Sequence, residues 1–390
     1  MEYSFDDIVI HSRTGLNPRQ NFVLGDGDCY YVTIKDIKND RIIFSKKTDK
    51  IDEYALAIIN RRSQLKKGDI LFSSIGRIGD TAIIEEEPKK WNINESVFAF
   101  TLNNKIMINE YFCWIFKSPR MREWLNTNSS GSTFKSIKMN QLKRLKFYVP
   151  TLEEQESIIR QLNLLNSLIL KNKEIINELN ELAKSQFIEM FEIDLKGNTV
   201  KLSDVTSVIT KGTTPTTLGY EFVDEGINFI KIECLTDDYH FIKDKMLHIT
   251  EECDEKLKRS KLKKDDVLFS IAGAIGRTAI VSDDILPANT NQALAIIRLK
   301  DSSNLNVNFL NEMLHSTLIE EQVNNKKTGV AQTNLSLADI GNLNIIIPDI
   351  KRQIEYASLV QQIDKSKFLI QKQINLLEEL LENKMNEYFR

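Results

Sequence analysis

Two stretches of this chain, LKKGDILFSSIGRIGDTAII at positions 65–84 and LKKDDVLFSIAGAIGRTAIV at 262–281, are identical at thirteen of twenty positions. The likeness extends well beyond them. A shift of 197 or 198 residues lays DIVIHSRTGLNP (7–18) on DVTSVITKGTTP (204–215), Asn94 on Asn291, Gly131 on Gly329, Pro150 on Pro348 and Gln155 on Gln353. Solenoid and propeller units repeat every 20 to 50 residues or so, so a period near 200 means a duplicated domain. A chain of 390 residues is long enough to give each copy its own hydrophobic core.

Within each copy the texture changes at a proline. Before it, short runs rich in β-formers, such as RIIFS, DILFSSI, NFIKI, DDVLFSI and LNIIIP, alternate with turns bearing Gly, Asn and Ser. Leu71, Phe72, Leu268 and Phe269 read as core strand residues. Gly76, Gly79, Gly273 and Gly276 read as tight-turn residues after those strands. After Pro150, Thr151 and Glu154 form a capping box, and after Pro348, Asp349 can cap a helix. Both predicted helices keep steps of four and three. The first passes through Ile158, Leu162, Leu165, Ile169, Asn172, Ile176, Leu179 and Ala183, the second through Tyr356, Val360, Ile363, Lys367, Ile370, Ile374, Leu377 and Leu381. About 40 residues at about 1.5 Å each make a rod on the order of 60 Å. Asn172 and Lys367 interrupt the seams as register-setting polar residues do. The expected fold class is α+β, with two mixed globular domains and two long antiparallel coiled-coil helices. The expected bounds are 1–150 and 201–348 for the globular domains, 151–191 and 349–390 for the helices, and 192–200 for a linker.

Charged residues at 27% and hydrophobic residues at 42% are ordinary for a globular chain. No apolar run reaches the roughly 18 to 20 residues that span a bilayer, and MEYSFDDIVIHSR lacks the pattern of a signal peptide, so a cytoplasmic location is expected. Cys29, Cys113, Cys234 and Cys253 are too scattered for a zinc site or a disulfide framework and are expected to be inert thiols. No phosphate-binding or complete dinucleotide-binding glycine motif is present. The four histidines lie apart, and acidic pairs such as Asp237 with Asp238, or Asp283 with Asp284, sit in hydrophilic stretches. Catalysis by this chain is not expected, nor a metal or cofactor of its own.

Binding is better supported. Positions 116–147 hold Lys117, Arg120, Arg122, Lys135, Lys138, Lys143, Arg144 and Lys146 against Glu123 alone, mixed with Ser, Thr and Asn. Such residues touch phosphates and base edges. In the second copy, TKGTTPTT presents Lys211 and threonine hydroxyls, which can also cap turns. A net charge of −3 means that any nucleic-acid contact must be local or shared with a basic partner.

Taken together, the KLSDV…KGTTP opening, the LKKGDILFSS and LKKDDVLFSI segments with IGDTAI and IGRTAI, ADIGNLNIIIPDIKRQ and the terminal helices resemble the specificity subunits of type I restriction–modification systems. The resemblance covers nearly the whole chain. It implies a non-catalytic subunit whose two target-recognition domains each read one half of a bipartite double-stranded DNA site. The helices would pack antiparallel and dock two modification subunits, which carry S-adenosylmethionine and methylate adenine. Restriction subunits would add cleavage driven by ATP with Mg. The candidate base readers lie in loops that differ between the copies: Asn17, Arg19 and Gln20; Arg77; Ser130, Ser132, Thr133 and Lys135; Lys211, Thr213, Thr214, Thr216 and Thr217; and Lys327, Gln332 and Asn334. The rival reading is a coiled-coil scaffold that joins two protein clients without touching DNA.

Overall fold

The computed structural model covers residues 1–390 and describes all of them except 20, 26, 39, 132–134, 198, 237–240, 328–333 and 390. The chain forms two units, Met1–Glu174 with Ile370–Arg390, and Ile175–Leu369. Each contains one copy of the repeat and part of both long helices.

The centre of the first unit is a four-stranded antiparallel sheet, in the order Val9–Thr14, Val97–Leu102, Ile70–Ser73 and Thr81–Ile83. The LKKGDILFSS element supplies its buried third strand. Leu71 and Phe72 point to opposite faces, and both are fully buried. Phe72 joins a core with Phe5, Phe100, Phe112 and Phe116, whereas Leu71 joins another with Val32, Ile84 and Ile93. A strand buried on both faces explains a run without polar alternation. A three-stranded mixed sheet, Asp49–Ile51, Cys29–Val32 and Trp91–Ile93, covers the second face. A two-stranded ribbon of Glu2–Ser4 and Lys146–Tyr148 closes the module.

The second unit repeats this plan. Its central sheet runs Thr206–Lys211, Leu294–Leu299, Val267–Ser270 and Thr278–Ile280, its mixed sheet Leu247–Ile249, Ile227–Ile230 and Ala288–Thr290, and its ribbon Val200–Lys201 with Asn344–Ile345. Phe269 and Leu268 divide between two cores as Phe72 and Leu71 do.

Matched polar residues hold matched places. Gln155 is fully buried; it accepts from Ile108 N (2.9 Å) and donates to the carbonyls of Ile106 (2.8 Å) and Pro150 (3.0 Å). Gln353 makes the same three bonds with Asn306, Asn304 and Pro348. Each glutamine ties the first turn of a long helix to its module. The buried Asp69 and Asp266 accept from Lys66 N and Lys263 N at 2.8 and 2.7 Å. Their counterions differ in origin: Arg13 comes from the edge strand of one sheet, Arg298 from the second strand of the other. Gly15 and Gly212 pass so close to the carbonyls of Ile93 and Thr290 that a Cβ would lie 1.8 and 1.6 Å from the oxygens. No other residue fits there.

The long helices run Leu152–Leu195 and Ile350–Tyr388. The first extends four residues beyond the 191 expected from sequence, because Phe187 and Phe191 carry it onto the core of the second module against Phe309 and Tyr356. Every seam residue expected from the heptads is buried or half-buried. The pairing is antiparallel within each unit. In the first, Gln161 meets Tyr388 and Lys173 meets Glu378; in the second, Asn180 meets Lys367 and Ala183 meets Tyr356. All four cysteines are free and buried, and burial pushes the Cys113 thiol up to about 12. Among the described residues, no helix is long and apolar enough to cross a membrane.

Candidate nucleic-acid interface

In the first module, the tight turn after Ile70–Ser73 places Arg77 beside Lys135. Gly76 has φ +69°, and its N–H donates to the carbonyl of Lys135 at 3.1 Å. Arg77 and Lys135 line one cleft of about 290 Å³ with Arg122 and Asn126. Arg77 is exposed, but its Nη2 donates to the carbonyls of Ile34 (3.0 Å) and Ile37 (2.7 Å), and its Nε lies 3.3 Å from Asp80. Asp80 also pairs with Arg122 at 3.1 Å, and Arg122 donates to Ile78 O at 2.8 Å. Arg77 thus ties the turn to the 34–37 loop. Ser130 is exposed at a two-way backbone bridge with Ser136. Asn17 and the exposed Arg19 belong to a separate loop, where Asn21 Nδ2 donates to Asn17 O at 2.9 Å; neither lines this cleft. Gln20, Ser132 and Thr133 fall outside the described residues.

In the second module, the loop after Thr206–Lys211 turns on Gly212, whose N–H donates to Asn291 O at 3.0 Å. Thr217 Oγ1 donates to Thr214 O at 2.6 Å and caps the turn, whereas Thr214 Oγ1 donates to the side chain of Gln292 at 2.6 Å. Lys211 and Thr213 are half-buried, and Thr216 and Asn334 are exposed. Gln332 and the side chain of Lys327 fall outside the described residues. Arg259, which the sequence reading did not select, donates to Lys211 O at 3.3 Å.

The cleft recurs in the second module with its charges exchanged. A space of about 390 Å³ is lined by Ala274, Arg277, Glu320 and Asn324, where the first module has Arg77, Asp80, Arg122 and Asn126. Arg277 Nη1 donates to Leu235 O at 3.4 Å, the counterpart of the Ile37 carbonyl that Arg77 holds. An arginine secures the same loop from either end of the turn. Half of the expected basic run is in ion pairs: Lys117 with Asp40, Arg122 with Asp80, Lys143 with Asp6 and Lys146 with Glu2. Residues 1–150 carry 24 Lys and Arg against 18 Asp and Glu, net +6; residues 201–348 carry 16 against 21, net −5. The sequence signal for Arg122, one of the cations of the basic run, was the alignment of the two copies, which sets Glu320 at its place.

A shared framework with matched glutamines, aspartates and glycines, and with clefts of unlike chemistry, defines a duplicated recognition module mounted on paired helices. Residues 2–181 and 196–379 each match the type I restriction modification DNA specificity domain, and the chain belongs to that family. It is 29% identical over 380 residues to the type I restriction enzyme MjaIX specificity subunit of Methanocaldococcus jannaschii, covering 91% of this chain and 84% of the relative. It is 26% identical over 279 residues to the EcoBI specificity subunit of Escherichia coli, covering 64% and 58%. The fold matches that of the type I restriction–modification S subunit from M. genitalium, with TM-score 0.54 and 14% identity over 100% of this chain and 96% of the other. A chain solved in work on the assembly and conformational transition of the type I system matches with TM-score 0.60 and 17% identity, over 100% and 97%.

Proposed function

We propose that the chain is the DNA specificity subunit of a type I restriction–modification complex and that each module reads one half of an asymmetric bipartite site. The observation that carries this reading is the pair of clefts at equivalent positions of one framework, lined by Arg77, Arg122 and Lys135 in one module and by Arg277 and Glu320 in the other. Duplex DNA offers the same groups to both modules, so different cleft chemistry selects different bases. The readers are drawn from the cleft residues Lys135, Arg277 and Glu320 and from the loop residues Asn17, Arg19, Ser130, Lys211, Thr213, Thr216 and Asn334. Arg77 acts chiefly through the loop it holds. Modification subunits dock on the helices, where Leu164, Leu168, Leu376 and Leu380 lie exposed in the first unit and Phe368 and Leu369 in the second. Those subunits supply S-adenosylmethionine and transfer the methyl group to adenine, and restriction subunits supply ATP- and Mg-dependent cleavage.

Sequencing methylated adenines in a host with and without this gene tests the reading. Disappearance of one bipartite motif is expected, whereas an unchanged pattern would favour a scaffold that joins protein clients.

A further inference from the structure

The ribbon that closes each module has an outer edge, and the two modules treat it differently. In the first module, Phe5 N donates to Leu145 O (3.0 Å) and Val149 N to Met1 O (2.8 Å). By the alternation of an antiparallel pair, residues 145, 147 and 149 turn their backbone groups toward the partner strand, so Lys146 and Tyr148 turn theirs outward. Among the described residues, nothing is hydrogen-bonded to those outward groups. In the second module, the equivalent residue Asn344 is capped. Its N–H donates to Gln322 Oε1 at 2.8 Å and its carbonyl accepts from Gln322 Nε2 at 3.0 Å. Gln322 lies on the helix Thr317–Lys327, and the residue in its place on the first module's helix Pro119–Asn128 is Trp124. An indole has one donor and no acceptor, so it cannot reproduce that pair of bonds.

A groove of about 480 Å³ runs along the open edge. Met121, Trp124 and Phe389 give it apolar walls, Tyr148 stands 75% exposed beside it, Arg120 and Arg144 lie exposed on its rim without an ion pair among the described residues, and Glu2, its one acidic lining residue, is paired with Lys146. An unpaired edge is a template for another strand. We propose that the outer edge of Lys146–Tyr148 accepts an extended acidic segment of a partner protein by strand addition. Lys146 and Tyr148 supply alternate N–H and carbonyl groups, the apolar walls receive every second side chain of the added strand, and Arg120 and Arg144 pair with its carboxylates. Backbone groups spaced two residues apart fit a peptide rather than a phosphate chain, and apolar walls add nothing to phosphate binding. The inference does not depend on DNA reading by the modules.

The test uses the full chain and two fluorescein-labelled peptides of alternating valine with glutamate, or valine with lysine. The glutamate peptide is expected to bind at least tenfold more tightly than the lysine peptide and to slow amide exchange across Leu145–Val149. Trp124→Gln, which copies the cap of the second module, and the double variant Arg120→Glu with Arg144→Glu should each weaken binding tenfold or more. The second variant alters only rim residues and keeps the test decisive if the first fails to fold. Equal binding of the two peptides, unchanged exchange at 145–149, or protection of that segment by duplex DNA in place of peptide would overturn the proposal.

Discussion

Gln155 and Gln353 are fully buried, and each bonds three backbone groups. Removing a buried partner exposes the full desolvation cost of what it leaves behind, so Gln155→Ala should lower stability by about 2 to 4 kcal/mol. Urea unfolding checks this, and a loss no larger than for an exposed Gln→Ala would contradict it. Where the second module meets its long helix, Glu312 is pushed up to about 7, first by burial and then by Asp364, with Asn311 and Lys367 pulling the other way. A folded-state value above the ordinary glutamate value, about 4.3, means that the folded chain keeps a proton the unfolded chain releases. Stability therefore falls as pH rises from about 4.3 to about 7. Glu312→Gln should stabilise the protein more at pH 8 than at pH 5, as read from urea midpoints; an equal change at both would refute the assignment. The first module carries Trp114 at this place, donating to Asn163 Oδ1 at 2.9 Å.

At the scale of elements, the heptad seams were legible because period alone selects the buried face of a helix. The central strands were legible because burial on both faces leaves a continuous apolar run. Pairings between elements were not. Asp69 and Asp266 align in the sequence, but their arginines come from different strands, a compensation visible only once the sheet is assembled. Arg77 stands out in the sequence as a cation in a glycine turn, and nothing local reveals that carbonyls 40 and 43 residues earlier hold its guanidinium. Asn172 leaves its buried Nδ2 without a partner in the seam. Asn172→Leu should raise stability by about 1 to 2 kcal/mol in urea unfolding, and a loss would show that the amide has a partner after all.

For the whole molecule, duplication preserved the framework and released the clefts. The +6 and −5 charges of the two modules show how far their surfaces have separated around matched glutamines, aspartates and glycines. If the modules read independently, damage to one should be confined to its own half of the target. The most direct measurement is the methylated motif in hosts that carry either Arg19→Ala with Lys135→Ala, or Lys211→Ala with Thr213→Ala. Each pair should relax base preference in one half only, and the two pairs should relax opposite halves. Simultaneous relaxation of both halves by either pair, or a motif unaltered by both, would contradict the account.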